Sequence, residues 1–267
     1  MTPLIKDETL ARTYNHPSKD PWRAVKLYRE AAAKPPDWGS HRVASAINSD
    51  QSNDFEGISR SEVRAWVDNN SMPDAMRAVE TARNLGWTAQ EWTATVGGIT
   101  KLVIGAYAFG SIAKRTYSPS WSPTDEKVIR AIENALTQVG SGFTHVVRDN
   151  PSQGDEIRPD IHATRLGRAL AVAGAPVGNK NSHSVTGFPT WIESTPEKLK
   201  EELALLFVRE RGVRQKRKAT IVVQSDRSFE YFKQIAKLIR DVTGETVTAS
   251  KHGITISADA VRALGLE

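Results

Sequence analysis

Apolar positions in the first third of the chain recur at the spacing of amphipathic helices. In "DPWRAVKLYREAAAK", the side chains of Trp22, Val25 and Tyr28 fall on one helical face. Asp20 stands at the N-cap position, and Pro21 takes the first helical position, where an N–H is not needed. Shorter helices are predicted in "WGSHRVASAINS" and "ISRSEVRAWVDN", and "SMPDAMRAVETARNLGW" predicts a closing helix. The pattern therefore indicates an all-helical N-terminal domain.

The helix predicted in "ISRSEVRAWVDN" has a start signal and several polar donors. Ser59, followed three residues later by Glu62, forms a capping box. Together with the preceding helix and connector it makes a candidate helix-turn-helix, in which early residues of the second helix meet DNA bases. The residues at these positions are Arg60, Ser61 and Arg64, whose side chains donate to guanine or phosphate. A small helical bundle without a DNA role is the alternative, favoured by the long connector.

Beyond residue 95, helical patterns alternate with strand-like segments. "ITKLVIGAYAFG" predicts an apolar helix rich in small residues, "AKRTYSPSWS" a basic strand, and "TDEKVIRAIENALTQVG" a helix that Thr124 caps and Gly140 ends. The strand-like "FTHVVRDN" and the helical "IHATRLGRALAVAGAP" follow. A similar order of helices and strands recurs over residues 196–267, so the sequence predicts a weak internal repeat.

Composition limits the kinds of protein that this chain can be. Its 267 residues are 39% hydrophobic and 25% charged, enough for a folded protein of two or three modules. The apolar runs fall short of the roughly 18 residues that a membrane span needs, and the N-terminus resembles no signal peptide. We therefore expect an intracellular protein without a membrane partner. The chain has no cysteine and its six histidines lack metal-ligand spacing, so neither a metal nor a cofactor is expected.

Positive charge increases toward the C-terminus of the chain. The formal net charge is +5, with −1 over residues 1–95, +2 over residues 96–195 and +4 over the remainder. In "RERGVRQKRK", six of ten residues are basic, and the β-branched run "ATIVV" follows at once. A basic segment that enters a strand suits an acidic partner such as nucleic acid, although a solvated surface turn has the same composition.

The second part of the chain resembles the LAGLIDADG homing endonucleases. "LVIGAYAFGSI" coincides with the motif that names the family, and "LGRALAVAGAPVGNKN" with the later "FPTWI" is similar to the segments that end a first repeat. The resemblance covers roughly residues 96 to 267. It implies an α+β fold in which a pseudo-twofold αββαββα domain with two antiparallel sheets follows the helix-turn-helix-like domain. The predicted divisions are an N-terminal arm (1–19), the helical domain (20–95), a first repeat (96–192) and a second repeat (193–267).

The family's architecture implies which residues approach DNA. Its two motif helices pack face to face, which requires small residues, here Gly105, Ala106 and Ala108. The strands after each motif lie in the major groove, so basic residues are expected there. The candidate DNA-binding residues implied in this way are Lys114, Arg115, Tyr117, Arg214, Lys216, Arg217 and Lys218.

The chain departs from the family at the position of the catalytic acid, which binds a divalent metal just before the motif's final glycine. That position holds Phe109 in the first repeat and Arg211 in the second, with Glu210 one residue away. Phenylalanine ligates no metal and arginine repels one. We therefore expect Phe109 to pack as core and the domain to lack nuclease activity. The rival is an active endonuclease that uses Glu210 with another acid, such as Asp125 or Asp149.

A helix-turn-helix joined to a degenerate homing-endonuclease domain also resembles the architecture of a bacterial sporulation-regulator family, in reversed order, and of archaeal proteins that pair the two modules. The resemblance implies sequence-specific recognition of double-stranded DNA in the cytoplasm, at the nucleoid. The expected role is transcription regulation or maintenance of a mobile element, with other protein subunits as further partners. A protein-interaction scaffold whose basic strands are merely solvated is the third alternative.

Overall fold

Two units make up the chain, one of Ile5–Asn84 and one of Met1–Leu4 with Leu85–Glu267. The structure is a computed structural model, and the residues that it describes are 2–14, 20–148, 154–181, 185, 187–216 and 218–266. Two residues named above, Asp149 and Arg217, lie outside the described residues. Among the described ranges, no helix has the length and apolar character to cross a membrane.

The first unit is built of helices held together by apolar side chains. Its helices are α1 (Asp7–Arg12), α2 (Pro21–Ala32), α3 (Ser40–Ser49), α4 (Arg60–Val67) and α5 (Asp74–Asn84). One apolar cluster joins α2 to α3 and α4 through Leu27, and another joins α2 to α1 and α5 through Val25. Because Leu10 and Ala11 of α1 are buried, the stretch predicted as an N-terminal arm contains a packed helix.

The predicted helix starts in this unit are confirmed. The Asp20 carboxylate accepts a hydrogen bond from the backbone N–H of Trp22 at 3.1 Å, and Pro21 is the first residue of α2. At the start of α4, the Glu62 carboxylate accepts from the N–H of Ser59 at 3.0 Å, as one half of a capping box. Each bond satisfies an N–H that has no partner inside its helix.

The second unit alternates helices with pairs of strands. Its first half comprises α6 (Ala94–Ala108), β1 (Gly110–Ile112), β2 (Pro119–Trp121), α7 (Glu126–Gln138), β3 (Thr144–Val146), β4 (Glu156–Arg158) and α8 (Ala163–Val172). A 3-10 helix (Thr190–Ser194) precedes the second half, which comprises α9 (Glu197–Arg211), β5 (Val213–Arg214), β6 (Ile221–Gln224), α10 (Phe229–Thr243), β7 (Val247–Ser250), β8 (Gly253–Ile256) and α11 (Ala258–Ala263).

Within the described residues, the strands form two antiparallel sheets of four. Their orders are β1-β2-β4-β3 and β5-β6-β8-β7, so the same strand arrangement occurs in both halves. Each half also has the same order of elements: a helix, two strands, a helix, two strands and a final helix. The predicted α+β class with two antiparallel sheets is therefore confirmed.

Helix α6 is buried along most of its length, between α7, α9 and the first sheet. Its glycines meet different neighbours. A Cβ atom on Gly105 would lie 2.9 Å from the indole of Trp121, on β2, whereas one on Gly97 would meet Leu199 of α9 at 3.9 Å. Gly105 therefore does not face the other helix of the expected pair, α9. It makes room for the Trp121 indole and for Ile132 of α7, which a Cβ atom would meet at 3.1 Å.

Local hydrogen bonds correct two further expectations. Asp125, and not Thr124, caps α7, because its carboxylate accepts from the N–H groups of Lys127 and Val128 at 2.8 and 3.1 Å. The segment "AKRTYSPSWS", predicted as one basic strand, is mostly the turn between β1 and β2. The prediction that Gly140 ends α7 is confirmed by its left-handed φ of 71°, which favours glycine.

Candidate nucleic-acid interface

Each sheet has an apolar face against helices and a polar outer face. Residues opposite each other on paired strands point to the same side, and successive residues alternate sides. In the first sheet, the buried Trp121 and Ile157 are paired, which places Ser111, Ser120 and Arg158 on the other side. The two serine hydroxyls lie 3.1 Å apart.

The outer face of the second sheet bears short polar and β-branched side chains. Val222, Thr255 and Thr248 form one row across β6, β8 and β7. Gln224 and Ser250 lie in the neighbouring row, on either side of Gly253. These five side chains carry no formal charge, and their hydroxyl and amide groups both donate and accept hydrogen bonds.

The basic residues of the sheets stand mainly in the turns between strands. Lys114 and Arg115 lie between β1 and β2, and Lys216 and Lys218 lie between β5 and β6. All four are exposed, and none forms an ion pair with a carboxylate of the described residues. Lys251, which the sequence analysis did not select, is exposed in the turn between β7 and β8. A basic edge therefore borders both polar faces.

A charged triad lies at one end of the first sheet. Arg148 and Arg158 each approach the Glu156 carboxylate to 2.6 Å. Partial burial acts to raise the pKa of Glu156, but the hydrogen bonds and charges of the two arginines outweigh it and hold the pKa below its usual range. Both cations bind the Glu156 carboxylate, and the neighbouring Asp155 carboxylate accepts from the backbone N–H of Arg148 at 3.1 Å. Arg148 and Arg158 are not among the predicted site residues, because "FTHVVRDN" indicates one strand of this pair and no pattern indicates its partner, Glu156–Arg158.

Arg214 and Tyr117, both predicted to contact DNA, form contacts within the protein. Arg214 is exposed, but its pairing with the buried Ile221 places it on the side of the sheet opposite the polar outer face, and its guanidinium donates to the Leu266 carbonyl. Tyr117 is half-buried, and the guanidinium of Arg168 lies 4.2 Å from the centre of its ring. Neither side chain belongs to the polar outer faces.

Two of the three residues proposed for DNA contacts of the helix-turn-helix, Arg60 and Arg64, lie close to the carboxylate of Asp68, at the end of α4. Asp68 accepts from the N–H and hydroxyl of Ser40 at 3.1 and 2.8 Å, and these bonds lower its pKa. Arg60 donates to the Ser40 hydroxyl at 3.0 Å and lies 3.7 Å from Asp68. Arg64 lies 3.9 Å from Asp68 with 65% of its side chain exposed, while the hydroxyl of Ser61 bonds that of Ser59. Arg64 is thus the most available donor of the three predicted ones.

The ends of the two motif helices do not fit the divalent metal that the resemblance implies. Phe109 is half-buried at the end of α6, and Arg211 is an exposed cation at the end of α9. The Glu210 carboxylate accepts from the N–H of Thr124 at 3.0 Å and from that of Asp125 at 3.2 Å. The described residues contain no cluster of three or more histidines or carboxylates that could hold a metal ion.

Lys180 lies beside this junction and was not selected from the sequence. Its ammonium group donates to the carbonyl of Ala106 at 2.9 Å and to that of Gly110. Burial, with a further contribution from the charges of Arg227 and Arg211, lowers the pKa of Lys180 to about 8. The segment "APVGNKN" is similar to the segments that end a first repeat. No local pattern in it predicts that Lys180 contacts Gly110, 70 residues away.

No protein-family model matches this chain, and a comparison with curated proteins found no match.

Proposed function

We propose that this protein binds double-stranded DNA sequence-specifically and regulates transcription, using a catalytically inactive fold of the homing-endonuclease type. The observation that carries the proposal is the repeated design of the two sheets. Each has an outer face of hydrogen-bonding side chains bordered by exposed cations in the turns, and these cations form no ion pair with a carboxylate of the described residues. Such a protein would act in the cytoplasm, at the nucleoid.

The chemistry of these surfaces matches the two kinds of contact that DNA requires. Cations bind phosphates and supply affinity that does not depend on sequence, whereas base edges are distinguished by hydrogen bonds in a groove. Ser120, Thr255 and Gln224 offer donors and acceptors for base edges. Sheets and two-stranded ribbons of known DNA-binding proteins enter grooves in this manner.

The topology supports a binding domain made of two similar halves. The order of seven elements and the strand order of the sheet are the same in both halves, and α6 packs against α9. These features suit the pseudo-twofold arrangement that the resemblance implies. Two related halves would contact two adjacent parts of a duplex, so we expect a bipartite binding site.

The engagement of Glu210 argues against the rival nuclease. Its carboxylate accepts hydrogen bonds from the backbone N–H groups of Thr124 and Asp125, and the Asp125 carboxylate caps α7. Both acids therefore have structural partners. The proposal accordingly assigns the protein to DNA recognition without cleavage.

The test is selection of duplexes from a random pool by the full chain in EDTA, followed by binding measurements at several salt concentrations. If Lys114, Arg115, Lys216 and Lys218 contact phosphates, the slope of log affinity against log salt should be about −4. Lys216→Gln with Lys218→Gln should reduce its magnitude by about two. Equal retention of all sequences, or a salt-independent affinity, would contradict the proposal.

A matched control removes two positive charges from another exposed surface. Lys233 and Lys237 lie on α10, paired with Glu230 and Asp241 at helical spacing. Lys233→Gln with Lys237→Gln should leave the salt dependence unchanged, since these residues stand outside the turns. A similar loss in both double variants would show that net charge alone drives binding.

A further inference from the structure

Three cations gather where the C-terminal ends of α6 and α9 lie close together. Lys180 is fixed at the end of α6 by its bonds to the Ala106 and Gly110 carbonyls. Arg211 is the last residue of α9, and Arg227 immediately precedes the cap of α10. The guanidinium of Arg227 lies 5.9 Å from the ring centre of Tyr231, and that ring packs against Tyr107 of α6 and Phe207 of α9, with ring centres 6.1 and 6.5 Å away. The charges of Arg227 and Arg211 both contribute to lowering the pKa of Lys180. The junction therefore concentrates positive charge from three separate segments.

Within the described part of the chain, no carboxylate forms an ion pair with any of these three cations. Glu210 precedes Arg211, and its carboxylate accepts from the N–H groups of Thr124 and Asp125. Asp226 precedes Arg227, whose guanidinium donates to the Asp226 backbone carbonyl at 2.8 Å. Arg227 faces the buried Tyr231, with its guanidinium 5.9 Å from the centre of the ring. Among the residues that the structure describes, the cluster thus has no carboxylate as a counter-ion.

The helix ends explain why positive charge is needed here. The C-terminus of a helix presents free carbonyl oxygens and the negative end of the helix dipole, so an anion is repelled from it. Two such ends meet at this junction. A divalent metal could reverse the local charge, but Phe109 and Arg211 offer it no ligand. The three cations perform that reversal without a metal ion.

We infer that this junction binds a phosphate oxyanion directly, through Arg211 and Arg227, in the place where the resemblance implies a metal. Arginine suits this task because its planar guanidinium donates two parallel hydrogen bonds to phosphate oxygens. Lys180 positions the end of α6 and adds positive charge. The inference rests on the proposed function where the phosphate belongs to DNA, while free phosphate is the other source of the same chemistry.

The first arm of the test titrates inorganic phosphate into the full chain by calorimetry, in EDTA and a phosphate-free buffer. Arg211→Gln and Arg227→Gln should each weaken binding about tenfold or more, the loss of a hydrogen bond to a charged group. Arg130→Gln, at an exposed site on α7, is the matched control and should bind as the wild type does. Thermal melting checks that each variant folds, and the exposed Arg211 makes its single variant the safer one.

The second arm measures binding of the selected duplex, with EDTA or with magnesium. In Arg211→Gln, the loss of one phosphate contact should lower the magnitude of the slope of log affinity against log salt by about one. EDTA should not weaken duplex binding by the wild type. An effect in this arm identifies DNA as the source, whereas an effect in the first arm alone identifies free phosphate. Absence of both effects, or DNA binding that requires magnesium, overturns the inference.

The two arms also separate this inference from the proposed function. If the wild type binds phosphate through Arg211 but no duplex, the anion site stands and the DNA-binding proposal fails. If it binds duplex with the same salt slope in Arg211→Gln and Arg130→Gln, and binds no phosphate, DNA binding stands and the anion site fails.

Discussion

Glu210 lies in the last turn of α9, and both of its carboxylate oxygens accept hydrogen bonds from the backbone N–H groups of Thr124 and Asp125 at the start of α7. Arg214, four residues later, donates to the Leu266 carbonyl, although it belongs to the most basic segment of the chain. At the scale of single residues, the hydrogen-bond partners therefore decide between a structural and a binding role. Charge and position in the sequence do not.

The partners of Glu210 lead to a prediction about stability. Glu210→Ala leaves the N–H groups of Thr124 and Asp125 without their acceptor, so the free energy of unfolding should fall by about 1 to 2 kcal/mol. Urea denaturation measures this change. The control is Glu201→Ala, an exposed site on the same helix, which should shift stability by less than about 0.5 kcal/mol. Equal stability of both variants would contradict the structural role.

Lys180 leads to a prediction about pH. Its pKa is lowered to about 8 in the folded protein, from 10.5, so between these values the unfolded chain binds more protons. The Lys180 contribution to the free energy of unfolding must therefore rise with pH in this window. The stability difference between the wild type and Lys180→Gln should move in favour of the wild type from pH 7.5 to 9.5. Urea denaturation at both pH values measures it, and a constant difference would refute the shift.

At the scale of elements, most predicted helix caps and stops are found at their positions, although Asp125 replaces Thr124 as the cap of α7, whereas the packing between elements was not predicted. Asp20, Ser59 and Gly140 act at the predicted positions. Phe109, expected as core, is only half-buried, although Leu102 on the same helix is fully buried. Local sequence contains the information for a cap, because its partners lie two to three residues away.

Two glycines of α6 provide a matched test of packing. A Cβ atom on Gly105 would lie 2.9 Å from the Trp121 indole, so Gly105→Ala should destabilise the protein by about 1 to 3 kcal/mol. Gly97 has its nearest such neighbour, Leu199, at 3.9 Å, and Gly97→Ala should stabilise by up to about 1 kcal/mol through helix propensity. Urea midpoints compare the two. A loss of stability in Gly97→Ala equal to that in Gly105→Ala would disprove the difference.

At the scale of the whole molecule, the chain offers basic and polar surfaces in both of its units. The helical unit presents Arg64, and the second unit presents its basic turns. Under the proposed function these surfaces make different contributions. A residue of a recognition helix selects bases, whereas turn lysines bind phosphates of any sequence.

Repeated selection of duplexes tests whether Arg64 and the turn lysines make these different contributions. Arg64→Ala should relax base preference at one or a few positions, where a good contact supplies about 1 to 3 kcal/mol of discrimination. Lys216→Gln with Lys218→Gln should weaken binding to most DNA sequences by a similar factor and leave the selected site unchanged. If Arg64→Ala selects the wild-type site, the helical unit is a bundle without a role in base recognition.

The sequence by itself determined the starts of α2 and α4, the end of α7, the α+β class and the repeated order of elements, because these depend on periodicity and on caps within a few residues. Tertiary structure alone decided which side chains meet. The bonds of Glu210 to Thr124 and of Lys180 to Gly110 join residues 86 and 70 positions apart. Strand register turned Arg214 away from the outer face, since a strand alternates its faces at every residue and pairing selects the buried one. Such pairings arise when the apolar faces of distant elements are buried together, and no local pattern contains them.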